Sequence, residues 1–320
     1  MTRGKRRLLL GLLALLLLGL LVLAITLSRP SAPAARPPEQ GPLLRPRALA
    51  PQIVVGFWNI RDFSAASRSR EELALIARVA HRMDCLAICE LNDTQVLRGF
   101  TRELAALGGE WEGIQTPSKT GNTPGSSEYY GFVFRSDKLR IRSPPRILPE
   151  RTYAVPGESG LHRFDRDPAS CSFATHDGHL DFTLVVVHVT WGSKVSYRKA
   201  EIRALRDYFQ QVQDEDPGDQ DVILGGDFNR DVGDESFAEL LSIPSMVDTT
   251  DPAPPTVVRG ASTYDHILFE RRYVTEYEGV HGVEAFDETL FGGDAARART
   301  AVSDHRPVWI VLRVPERDDD

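Results

Sequence analysis

The chain is predicted to fold as an α/β domain of two packed mixed β-sheets flanked by helices, behind an N-terminal transmembrane or signal helix. Three observations predict this. Short apolar strands alternate with amphipathic helical stretches from residue 52 onward, and neither an internal repeat nor a linker divides that body. A Leu-rich run of 20 uncharged residues, Leu8 to Leu27, stands ahead of it.

Composition supports a globular body, with 42% hydrophobic and 26% charged residues among 320. The net charge of −7 is unevenly spread. Residues 1–50 carry eight Arg or Lys against Glu39, which leaves 30 basic and 44 acidic residues beyond them, near −14. Such a body repels a polyphosphate unless a local basic patch or a bound metal reverses the field. Three cysteines are too few for a disulfide framework. Cys85 and Cys89, four apart in a strand, are roughly 13 Å from one another and read as buried apolar residues.

In chain order, residues 1–7 bring four positive charges and residues 8–27 are long enough, at about 30 Å, to cross a bilayer. Basic residues before the run predict a cytoplasmic N-terminus and a translocated body, either membrane-anchored or, with Ala32-Pro33-Ala34 as a cleavage site, secreted. Residues 28–51, rich in Pro, Ala and Arg, read as an extended linker. The folded domain is expected over 52–314, with an acidic tail at 315–320.

Within that domain, Ile53–Trp58 and Cys85–Cys89 read as strands, and Arg70–Arg82 and Thr94–Leu107 as helices, the second stopped by Gly108-Gly109. Thr116–Ser127 is a polar loop before a strand at Tyr129–Arg135, and Ser143-Pro144-Pro145 is expected to break the pattern. Cys171–Ala174 and Phe182–His188 form a strand pair turning at Asp177-Gly178. Lys194–Val212 is a helix, Val222–Gly225 a strand and Phe237–Leu241 a short helix. Tyr264–Phe269 and Val308–Val314 close the domain.

Chemistry gathers at the strand ends. Asp227 and Asn229 follow Gly225-Gly226, where a turn reading competes with a site reading because Asp and Asn bond their own backbone. Glu90 ends DCLAICE, Asn59 follows IVVGFW and His188 ends DFTLVVVH; each alone reads as readily as a solvated or structural residue. Asp265 lies inside a strand, where a carboxylate wants a partner, and Asp304-His305 precedes the last strand. Together they offer hard oxygen ligands without zinc-like Cys or His spacing, which favours Mg2+ or Ca2+. Two histidines with carboxylates to orient them supply an acid and a base, the equipment for hydrolysing a phosphate ester.

The ordered motifs WNIRDF, the strand ending CE, EYYGFVFR, FDRDP, VVVH, GGDFN, TYDHI and SDHRPV run from about Val54 to Leu312. In this order they resemble the endonuclease/exonuclease/phosphatase superfamily, most like its deoxyribonuclease I branch. The resemblance implies a four-layer sandwich and a Mg2+-dependent phosphodiesterase, with Mn2+ or Ca2+ as alternative ions. It implies Glu90 as main metal ligand, with Asn59 and Asp304 in the same network. It makes Asp227 and Asn229 the pair that positions the phosphate and the attacking water. His305 with Asp265 is then the general-base pair, and His188 with Glu128 the pair that protonates the leaving oxygen. Arg61 and Arg166 match phosphate-contacting arginines. Asn92 stands where that branch has a minor-groove arginine and Ser126 where it has a tyrosine, so its hold on duplex DNA is not carried over.

The expected function is therefore a membrane-tethered or secreted nuclease with nucleic acid as substrate, contact with the membrane through the N-terminal helix, and no protein partner. Phospholipid or sphingomyelin phosphodiesterase is the alternative, and a catalytically silent binding module on the same fold is the reading from another class.

Overall fold

The computed structural model describes residues 51–250 and 254–318. The segments expected at 1–7 and 8–27, and all but the last residue of 28–51, lie outside the described residues. Among those described, no helix is long and apolar enough to cross a membrane.

Strands β1 (Gln52–Phe63), β2 (Cys85–Leu91), β3 (Trp111–Gln115), β4 (Tyr129–Arg135) and β5 (Leu139–Ile147) open the domain. A small ribbon follows, β6 (Thr152–Ala154) with β7 (Leu161–Arg163), then β8 (Ala169–Thr175), β9 (Asp181–His188) and β10 (Val222–Asp227). The last are β11 (Met246–Asp248), β12 (Asp265–Glu270), β13 (Tyr277–Val283) and β14 (Val308–Arg313). The α-helices are α1 (Arg70–Ala80), α2 (Gln95–Ala106), α3 (Val195–Glu215), α4 (Ala238–Leu241), α5 (Phe286–Thr289) and α6 (Ala295–Ala301).

Two six-stranded sheets result, ordered β13-β14-β1-β2-β4-β3 and β11-β12-β10-β9-β8-β5. Both are mixed: β1 with β2 and β9 with β10 are parallel, and their other neighbours antiparallel. Strand alternation sends side chains to two faces. Val55, Phe57, Cys85, Ala87 and Cys89 join Phe173, Phe182, Ile223 and Ile267 in the core between the sheets. Trp58, Ile60, Leu86 and Ile88 face outward onto α1 and α2 through Ile76 and Phe100. On the far side Val185, Val187 and Leu224 pack on Tyr208 and Phe209 of α3. The expected helix–sheet–sheet–helix layering is what these three cores build.

Helix ends follow local chemistry. Ser69 and Glu72 form a reciprocal capping box at α1, and Asp93 Oδ1 accepts from the Gln95 and Val96 amides at α2. All three cysteines are free and buried. Ser143-Pro144-Pro145, expected to break the pattern, instead lies within β5, whose register slips against β8 around Ser143. Consecutive N–H groups of a strand point to opposite edges, so one proline falls on the open rim and the other in the slip, where neither Pro144 nor Pro145 has a partner on β8.

Candidate active site

Strand register assembles the site. Asp227, last residue of β10, pairs in register with His188 on parallel β9 and with Asp265 on antiparallel β12. Three chemically active residues scattered over 78 positions thus become one row across three strands. The two glycines before Asp227 are both required. A Cβ on Gly225 would sit 2.6 Å from the Phe57 ring of the facing sheet, and one on Gly226, at φ +132, would meet the Val187 carbonyl at 2.1 Å. Gly225 lets the sheets approach where Asn59 meets Asp227, and Gly226 lets β10 lie against its neighbour β9.

Asn59 spans that meeting. Its Nδ2 donates to Glu90 Oε1 at 2.9 Å and to Asp227 Oδ2 at 3.1 Å. Glu90 Oε2 accepts from the Asp62 amide at 2.9 Å. Glu90, Asp62 and Asn229 all have φ between 53 and 60°, a region that costs a non-glycine residue about 1–3 kcal/mol and concentrates at functional sites.

His188 Nδ1 bonds Glu128 Oε1 at 3.0 Å, and its backbone N–H donates to Tyr130 Oη at 3.1 Å. Arg166 closes on the same carboxylate, Nε to Glu128 Oε2 at 3.0 Å, and also donates to the Ser126 carbonyl. Burial works against the Glu128 charge, but His188 and Arg166 outweigh it and hold the carboxyl below its ordinary range. His188 is likewise disfavoured by burial, yet Glu128 holds its pKa above the usual value.

His305 is the counterpart. Its Nδ1 bonds Asp265 Oδ2 at 2.8 Å, while Nε2 lies 3.6 Å from Asp227 Oδ2. Burial alone would discharge it, but Asp265 and Asp227 raise it to about 10, so without a cation nearby it is an imidazolium at neutral pH. Asp227, buried yet flanked by both histidines, is held low.

The remaining expected residues fall around this centre. Asn229 donates through its backbone N–H to Asp227 Oδ1 at 2.8 Å and through Nδ2 to the Val189 carbonyl at 3.0 Å, which fixes the turn. Arg61 follows Asn59 by two on β1, its amide held by Ser303 Oγ. Asp304 pairs with Arg299 at 3.2 Å, and among the described residues no hydrogen bond joins it to Asn59 or Glu90. Asn92 donates to the exposed Asp62 carboxylate at the surface, and the buried Ser126 hydroxyl donates to Asp165.

Several positioning residues escaped sequence reasoning. Ser303 Oγ donates to the Asn59 carbonyl at 2.7 Å, and Trp58 Nε1 to the His305 carbonyl at 2.7 Å. Arg306 makes a buried bidentate pair with Asp287, both bonds 2.7 Å. Glu201 on α3 accepts from the Asp165 and Thr190 amides and from Tyr153. Trp58, Ser303 and Arg306 stand inside the motifs WNIRDF and SDHRPV without a role read for them, and Glu201 stands in none.

Asn59 Oδ1 is buried without a hydrogen-bond partner beside the Glu90 carboxylate. An orphaned oxygen next to a carboxylate fits a hard divalent cation. Asp227, Asp265 and His305 also present ligand atoms within 4.8 Å of one another, but Asp265 already binds His305 Nδ1.

Residues 56–305 match the sequence profile of the Endonuclease/Exonuclease/phosphatase family. The chain belongs to that family. This membership, with a curated relative named a deoxyribonuclease, makes it a hydrolase of phosphate esters. That relative, from Thioalkalivibrio sp. (strain K90mix), is 27% identical over 293 residues, 84% of this chain and 73% of the relative. The fold is also that of a Bacteroides vulgatus endonuclease/exonuclease/phosphatase, with TM-score 0.54 and 15% identity over 83% of this chain and 100% of that one. It is shared with the human Nocturnin catalytic domain, with TM-score 0.53 and 16% identity over 82% of this chain and 93% of that one.

Proposed function

We propose that this family member is a divalent-metal-dependent phosphodiesterase acting on nucleic acid, a nuclease tethered to or released from the outer face of a membrane by residues 8–27. The observation that carries the chemistry is the convergence of two carboxylate-backed histidines on Asp227 Oδ2, beside the Asn59–Glu90 pair. The name of the Thioalkalivibrio relative supports nucleic acid over lipid.

Asn59, Glu90 and Asp304 would hold Mg2+, with Mn2+ or Ca2+ as alternatives; a bound cation neutralises charge developing on the phosphoryl oxygens. Asp227, whose proton affinity is low, faces the attacking water and orients it through Oδ2. Asp265 fixes His305 by Nδ1, so that Nε2 is the atom that exchanges a proton with the reacting groups. With its pKa raised, His305 must first give up that proton to serve as the base, and while charged it donates to a phosphoryl oxygen instead. Glu128 fixes His188 in the same manner, leaving its Nε2 to protonate the leaving oxygen. Arg61 and Arg166 supply positive charge toward the phosphate, Arg166 while shared with Glu128.

The test is a substrate panel of plasmid DNA, single-stranded DNA, RNA and sphingomyelin, with Mg2+, Mn2+ or Ca2+ and with EDTA. Nicking or degradation of nucleic acid that stops on chelation supports the proposal. Hydrolysis of sphingomyelin with every nucleic acid intact overturns it. Membrane fractionation with protease protection tests the tether.

A further inference from the structure

A cavity of about 510 Å3 opens beside the site, lined by Tyr153, His162, Trp191, Lys194 and Tyr197 among others. We propose that it is a subsite for an unpaired nucleobase of a nucleotide next to the scissile phosphate. This rests on the nuclease reading above and narrows it to single-stranded nucleic acid or an extruded base.

Position comes first. Thr190, on the cavity wall, is two residues beyond His188, at most about 7 Å of backbone away. Asp165, also in the cavity lining, immediately precedes Arg166. Glu201 holds the two stretches together by accepting from the Thr190 amide at 2.8 Å and the Asp165 amide at 2.7 Å. A ligand in the cavity is therefore one short step from His188.

Chemistry comes second. Trp191 is 77% exposed, although the side chain is the largest apolar surface a residue can bury. His162 and Tyr197 meet edge to face with centroids 4.8 Å apart, and the Lys194 ammonium lies 4.5 Å from the Tyr197 centroid. The two carboxylates in the wall are turned inward: Asp165 accepts from Thr123 and Ser126, and Glu201 from Tyr153 and the two amides. Of the aromatic and charged lining, what remains facing a ligand is aromatic surface with the Lys194 ammonium at its side, Arg163 being paired with Glu150. Planar base faces and their phosphates match that combination, the recurrent one for single strands. A volume of this size suits one small ligand.

Duplex DNA keeps its bases stacked out of reach of such a cavity.

The experiment uses the full chain and single-stranded oligonucleotides bearing one cleavable phosphodiester, with a base or an abasic residue on either side of it. The wild type should lose about tenfold in kcat/KM when the base on one side is absent. Trp191→Ala should cleave the base-bearing and abasic substrates at rates within twofold of each other, and Trp191→Phe should regain most of the discrimination. In EDTA, oligonucleotide should quench the emission of the wild type and not of Trp191→Phe. Equal discrimination by wild type and Trp191→Ala overturns the subsite. So does a Trp191→Ala variant that loses only binding to phosphatidylglycerol vesicles, which would assign the indole to a membrane. Wild-type inactivity on every oligonucleotide with retained sphingomyelin hydrolysis would sink the nuclease reading itself.

Discussion

His188 and His305 aim their Nε2 atoms at one oxygen, Asp227 Oδ2, from 3.7 and 3.6 Å. Each histidine is held from behind by its own carboxylate, so the three groups act as one unit with Asp227 at its centre. Asp227→Asn keeps the shape but removes the negative charge both rings face. Activity on the preferred substrate should fall by about 10²-fold or more, the scale for a misplaced reactant. Circular dichroism should show a folded variant; turnover within threefold of wild type would refute the assignment.

The charge on His305 depends on Asp265 and Asp227. In EDTA, its ring protons followed by NMR should not titrate between about pH 6 and 8.5, and Asp265→Asn should bring the midpoint down into that window. The sign for stability follows: a raised histidine pKa stabilises the fold fully below its ordinary 6.5, and that contribution is lost as pH rises through about 10.

Asn59 and Glu90 form the oxygen pair with an unpartnered buried acceptor. Glu90→Gln should weaken Mg2+ binding by tenfold or more in calorimetry. The gain in Tm that saturating Mg2+ gives the wild type should shrink in parallel. An unchanged affinity would move the ion elsewhere, with the Asp227–Asp265–His305 group the next place to mutate.

Arg306 follows His305 and is locked by Asp287. Removing one member of a buried pair strands the other, so Asp287→Ala should cost about 3 kcal/mol in urea unfolding. Arg306→Lys, with Asp287 in place, should keep only part of the pair's contribution, since an ammonium does not reproduce the two parallel bonds of the guanidinium.

Glu201 is buried enough to raise its pKa from 4.5 to about 7, against the pull of its three donors. Its protonated form therefore favours the fold, a contribution present below about pH 4.5 and lost as pH rises through about 7. Urea midpoints at pH 5 and 8 should differ more for the wild type than for Glu201→Gln.

Much of the domain could be read from periodicity because β1, β2, β4, β9, β10, β12 and β14 are buried runs with motif residues at their ends. The weaker strands were missed for a physical reason. β13, with Glu278, Gly279 and His281 exposed, has little apolar pattern, and β11 is three half-buried residues. In the site, Asp227, His188 and Asp265 were legible as strand-end or in-strand polar residues, but their common row depends on register, which no local pattern encodes. Arg166 and Asn229 were expected toward phosphate, and the structure spends part of their bonding on Glu128 and Val189. The roles of Glu201 and Arg306 were invisible because a charged residue on an amphipathic helix, or next to the reactive residue of a motif, looks solvated until packing buries it.

Pro144 and Pro145 bear on how copies of this protein meet. β5 is an open rim of the second sheet, and a rim with a full row of N–H and C=O groups invites another molecule to add a strand. Of two consecutive residues without N–H, one faces that rim and removes a donor from the row, at the point where the ladder to β8 already slips. The pair thus guards against edge-to-edge aggregation, a safeguard bought with an irregular strand.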